Sequence, residues 1–178
     1  MSAQLPPKLP LLALFLFCTL ACQDQVDPTD SDVIDEDMIE ATRLADEYLT
    51  NTAGKSGADR SITVLKYKSG KLYYHTNNGY TQGYEEVDES TVTATVAAGD
   101  YVFWYSGGGV TDLDGIEFDA ASQQQLNSNP EEINYDKMWV IPTPENAAPG
   151  TILKYDIVYD YKGNDGPIVR LDPKIQIQ

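Results

Sequence analysis

Cysteine is nearly absent from this chain. The two it has, Cys18 and Cys22, lie within the first two dozen residues, and histidine occurs once, as His75. No internal thiolate and imidazole set can therefore assemble; a blue-copper centre, for example, needs two His, a Cys and an axial ligand. Basic residues are scarce as well, with 12 Lys and Arg against 28 Asp and Glu and a formal net charge of −16. Such a chain lacks the cationic surface on which phosphate-backbone binding depends, which excludes nucleic acid as a partner. Long apolar runs are missing too. The longest, Leu11 to Ala21, is eleven residues, about half of what a membrane-spanning helix requires.

That short run fits another use. Lys8 precedes it, and the small residue Ala21 closes it before the polar chain begins at Cys22. A basic head, a short apolar core and a small residue at the cut describe a cleavable export signal over residues 1–21. Cleavage before Cys22 discards Cys18 and leaves one cysteine at the new N-terminus, which excludes an intrachain disulfide by count and a Cys-x-x-x-Cys metal pair by loss of half its ligands. The stretch "TLAC", residues 19–22, resembles the lipobox of bacterial lipoproteins, with Leu20 one place later than the usual pattern has it. The resemblance implies lipid on Cys22; plain secretion with Cys22 as a free thiol is the alternative. The following "QDQVDPTDSD" carries Asp24, Asp27, Asp30 and Asp32 and no base. It is similar to the acidic stretch after the lipidated cysteine of Bacteroidota surface lipoproteins. It implies an outer-membrane lipoprotein held by its lipid, extending to display at the cell surface, with residues 22–30 as an extended acidic tether.

Residues 31–178 read as one domain. Asp30, Ser31 or Asp32 can cap a helix over 31–50. Ile34, Met38, Ala41, Ala45 and Tyr48 recur at helical spacing, giving one apolar stripe that predicts docking on the rest of the domain. From Ser61 the period becomes two. "SITVLKYK" and "LYYHT" predict a hairpin across "SGK", and "STVTATVAAGDYVFWYS" predicts two strands around Ala98–Asp100. "GGGVTDLDG" reads as a long glycine-rich loop, "IEFD" as a short strand, "ASQQQLNSNPEEINYD" as a polar connection with one helical turn, and "KMWVIP" as a strand. "TILKYDIVYDY" and "IVRLDPKIQIQ" predict a last hairpin in which Pro173 marks an edge or bulge. The expectation is a mainly β fold: an antiparallel β-sandwich of about seven strands over 60–178, with an N-terminal amphipathic helix. Residues 91–106 resemble the strand-turn-strand of cupredoxin-like sandwiches, which implies a cupredoxin-like or immunoglobulin-like frame, here without the copper ligands.

Three constellations are candidates for chemistry. In "YYHTNNGYTQGY", Tyr73, Tyr74, Tyr80 and Tyr84 alternate with amides, hydroxyls and glycine. That composition suits either cross-strand packing in a hairpin or a face binding protein or glycan by aromatic contact. In "DLDGIEFD", Asp112, Asp114, Glu117 and Asp119 form either an acidic turn or a weak calcium site. His75 with Ser106 is the one conceivable hydrolytic pair. The sequence alone thus predicts a lipid-anchored, non-catalytic binding or structural module without a cofactor beyond the lipid, against a glycan-active enzyme or accessory as the alternative.

Overall fold

The computed structural model describes residues 35–53, 60–77, 83–87, 92–135, 137–164 and 168–178. The tether, Cys22 and Tyr80 lie outside them. Helix α1 (Glu36–Tyr48) opens at Asp35, whose carboxylate accepts from the Met38 amide, and runs into a π-helical turn at Leu49–Ala53. Among the described residues eleven strands follow: β1 (Arg60–Lys68), β2 (Lys71–Thr76), β3 (Glu85–Glu86), β4 (Val92–Val96), β5 (Tyr101–Ser106), β6 (Val110–Phe118), β7 (Glu131–Ile133), β8 (Met138–Pro142), β9 (Ile152–Tyr161), β10 (Val169–Leu171) and β11 (Lys174–Ile177). Helix α2 (Ala120–Leu126) lies between β6 and β7. No helix among the described residues is long and apolar enough to cross a membrane.

The first sheet has the order β3-β2-β1-β5-β8-β7. In the second, β9 is flanked by β6 on one side and by β10 and β11 on the other, with β4 outside β11. Strands β10 and β11 keep one register against β9 across Asp172–Pro173. The proline thus interrupts a single strand by withholding its amide, while its carbonyl still accepts from Tyr155. The two sheets share a core in which Leu65, Trp104 and Ile141 of the first meet Leu153, Ile157 and Ile175 of the second. The molecule is mainly β and sandwich-like, as the two-residue periods predict.

The pairing is mixed, where the sequence suggests an antiparallel sandwich: β1 pairs β5 and β4 pairs β11 in parallel. The cause is that β4 joins the second sheet and β5 the first, so the turn at Ala98–Asp100 bridges two sheets instead of closing a hairpin.

Helix α1 packs on the outer face of the first sheet. Ala41, Ala45 and Leu49 meet Ile62, Val64, Phe103, Tyr105, Met138 and Val140. Strands β1 and β5 are therefore buried on both faces, which explains unbroken apolar runs such as "YVFW". The helix ends at Asp35 while β1 and β2 continue to Lys68 and Lys71. Among the described residues, no helix lies over that part of the sheet's outer face.

Candidate binding groove

That face holds an open groove of about 520 Å³. Its volume is within the range of roughly 300–1,000 Å³ usual for small-ligand sites. Lys66, Tyr67, Lys68, Tyr73, Tyr84 and Gly108 line it. The register explains the grouping. Lys66 stands opposite Tyr73, and Lys68 opposite Lys71, so alternation along the strands puts all four on the face that carries His75 and Val64.

The groove's inner wall is a polar network centred on Asp35. Tyr84 Oη donates to Asp35 Oδ2 at 2.5 Å, His75 Nδ1 lies 3.3 Å from the same oxygen, and Lys66 Nζ lies 3.1 Å from Oδ1. Lys66 also reaches Asp37 Oδ2 at 3.0 Å and sits 4.4 Å from the centroid of the Tyr84 ring, over its face. Burial by itself would raise the Asp35 carboxyl. The hydrogen bonds from Tyr84, Lys66 and His75 and the charge of Lys66 outweigh it and hold Asp35 below the ordinary aspartate range. The Tyr84 phenol is driven far above its usual value, first by burial and then by the carboxylate it donates to. Asp35 and Asp37 share Lys66 and leave one net negative charge at the mouth of α1, and Tyr84 is held as a fixed wall.

The opposite rim comes from Gly107–Gly109. Gly107 N donates to Leu65 O at 2.7 Å, Tyr67 N donates to Gly108 O at 3.0 Å, and Gly108 N donates to Asp37 Oδ2 at 3.2 Å. Gly109 has φ +85, and a Cβ there would lie 2.1 Å from the carbonyl oxygen of Tyr67. No other residue type permits that approach. The sequence reading of residues 107–115 as a loop is corrected here: the glycines make a tight turn, and β6 begins at Val110. Tyr67 borders the rim, while its side chain, on the inter-sheet side of the pleat, stacks on Tyr161 with ring centroids 3.7 Å apart.

Of the four tyrosines singled out by composition, Tyr73 and Tyr84 meet in the groove. Tyr74 points to the other face, is buried in the inter-sheet core and donates to Glu85 at 3.0 Å. It is scaffold and is removed from the candidate set. Tyr80 lies outside the described residues. Sequence reasoning missed Asp35, Asp37, Lys66, Tyr67 and Lys68. Period-two alternation around Tyr73 could have found Lys66 and Lys68, but nothing local links Asp35 to Tyr84.

The four acids considered for calcium are employed elsewhere. Arg170 grips Glu117 with both terminal nitrogens, and Asp119 caps α2, accepting from Ser122 N at 2.7 Å. Asp112 and Asp114 lie along β6, with Asp112 opposite Asp160 of β9. Among the described residues no group of three or more His, Cys, Asp or Glu could hold a metal ion. His75 and Ser106 do not meet either. His75 shares a row with Val64 and Tyr105, whereas Ser106 stands opposite Leu65 and faces the inter-sheet side. The sheet itself separates them, so no hydrolytic pair forms.

No protein-family model matches the chain, and no curated protein matches it. The groove must therefore be read from its own chemistry. It offers the rings of Tyr73 and Tyr84, the second fixed by its bond to Asp35, one ammonium tied to carboxylates and one exposed ammonium.

Proposed function

We propose that this chain is a lipid-anchored lipoprotein of the outer membrane whose β-rich domain binds saccharide, without catalysing a reaction on it, in the groove between β2 and the Gly107–Gly109 turn. The reading of the anchor is supported by the eleven-residue apolar run, Cys22 after a small residue and the acidic stretch that follows. The cupredoxin-like frame is our reading of residues 91–106 within the sandwich.

One observation carries the binding reading: Tyr73 and Tyr84 line one open groove beside Lys66 and Lys68. Tyrosine presents a flat apolar face and a hydroxyl at low cost in side-chain entropy. A sugar ring offers the complement, C–H faces bordered by hydroxyls. The ring of Tyr84 is already fixed by its bond to Asp35, which lowers the ordering left to be done on binding. The test is a panel of neutral and acidic oligosaccharides against the full chain purified in detergent. Saturable binding of at least one glycan, competed by the free sugar, is the expected result. Capture of none of them by a folded protein would reject the reading.

A further inference from the structure

We infer that the saccharide held in this groove is an acidic one, a uronic-acid glycan, and that Lys68 is the group that receives its carboxylate. This rests on the saccharide reading above and adds the charge class of the ligand.

The distribution of charge is the first observation. The chain has 28 acids, yet residues 60–84 contain no Asp or Glu while they hold Arg60, Lys66, Lys68 and Lys71. The hairpin of β1 and β2 gathers the three lysines on one face, around Tyr73. The hairpin is thus basic in sequence on a strongly anionic molecule, with Asp35, Asp37 and Glu86 brought against it from elsewhere in the chain.

The second observation is how the lysines are used. Lys66 is committed to Asp35 and Asp37, and Lys71 to Glu86 at 2.7 Å. Lys68 is exposed, lines the groove and has no carboxylate partner among the described residues. It is therefore the one ammonium of the groove whose charge is left for a ligand, one strand row from Tyr73. A carboxylate there gains a charge-assisted hydrogen bond, while the sugar ring that carries it lies along the tyrosine faces.

The same inventory selects among anions. A phosphorylated sugar carries close to two charges on its phosphate, more than one lysine balances. Among the described residues no arginine lines the groove, and Lys66 is already paired with two carboxylates. A nucleic acid or an anionic membrane surface would meet the net charge of −16 around the hairpin and be repelled. A uronate places one carboxylate per ring, the amount of charge that one lysine can balance.

The experiment is calorimetry on the full chain in detergent with trisaccharides of galacturonic, glucuronic and mannuronic acid, each compared with its own methyl ester. The ester keeps the rings and removes the charge. At least one acid form should bind ten times or more tighter than its ester, with affinity falling as salt rises. Lys68→Ala should erase that difference by weakening the acid form about tenfold while leaving the ester unchanged. Lys68→Arg should restore most of it. The melting temperature of Lys68→Ala should match the wild type, since Lys68 is exposed. Equal binding of acid and ester by the wild type would overturn the inference while leaving the saccharide reading in place. The same holds for Lys68→Ala weakening both forms alike. Failure of all the trisaccharides to bind, with neutral glycans captured in the panel, would likewise overturn the uronate assignment alone.

Discussion

The phenol of Tyr84 donates to Oδ2 of Asp35 across 2.5 Å, joining the residue that caps α1 to the residue that leads into β3. The two are 49 positions apart in the chain. This one bond sets the wall of the groove and ties the helix layer to the sheet edge.

Tyr84→Phe removes the hydroxyl and keeps the ring. A hydrogen bond to a charged partner contributes about 1.5–3 kcal/mol, and for a domain of this size each kcal/mol moves the melting temperature by about 2–4 °C. Differential scanning calorimetry should show a fall of several degrees. An unchanged melting temperature would mean that the bond adds nothing to the fold.

Stability should depend on pH through Asp35. Its folded carboxyl is held below the ordinary aspartate value, since the Tyr84, Lys66 and His75 contacts outweigh its burial. The unfolded chain therefore takes up this proton first as pH falls. The contribution is complete above the ordinary aspartate value and is lost as pH drops through the lower, folded one. Glu40, Glu117 and Asp119 are lowered as well, so the comparison with Asp35→Asn isolates this group. Urea melts between pH 2 and 6 should show a shallower slope for Asp35→Asn than for the wild type. Parallel slopes would exclude the network as their source.

Gly109→Ala should be far more costly than Gly163→Ala. Both glycines have positive φ, +85 and +90, but a Cβ at Gly163 meets nothing within 4 Å whereas one at Gly109 meets the Tyr67 carbonyl oxygen at 2.1 Å. The left-handed backbone alone costs roughly 1–2 kcal/mol. Gly109→Ala should exceed that in a denaturant melt, since the turn must move away from β1. Equal losses at the two positions would refute the role of the close approach.

The anchor has its own test. Cys22→Ser should move the protein from the membrane fraction to the soluble one, and mass spectrometry of the wild type should find two or three acyl chains on a mature N-terminal Cys22. One chain of about 14 carbons binds only marginally, so stable attachment needs that number. An unacylated N-terminus at another residue would contradict the lipoprotein reading.

Much of the frame was legible in local pattern. The stripe Met38, Ala41, Ala45 and Tyr48 placed α1 and its buried face, because a helix repeats its contacts every 3.6 residues. Leu153, Tyr155, Ile157 and Tyr159 placed the inward face of β9. Only the end of β6 was legible, as the short strand "IEFD"; its first part was hidden because the register shifts between Val110 and Asp112 and again before Gly115, which breaks the period of two. Strands β3 and β7 were hidden because they are edges with charged residues, Glu85–Glu86 and Glu131–Glu132. Charge protects such edges from pairing with other chains and also removes their apolar signal. The parallel pairings and the Asp35 network join residues far apart in the chain, which no window of local periodicity reports. The tyrosine cluster was half legible: composition drew notice to it, but only the pleat separates Tyr73, in the groove, from Tyr74, in the core.

Tyr73 gives the most direct test of the groove as a glycan site, because it lines the groove while Tyr84 also holds the fold together. The measurement is the binding of the best glycan of the panel to Tyr73→Ala, paired with its melting temperature. The account predicts at least a tenfold loss of affinity with a melting temperature within about 3 °C of the wild type, the shift expected for roughly 1 kcal/mol. Retained affinity in a Tyr73→Ala protein that melts like the wild type would contradict it.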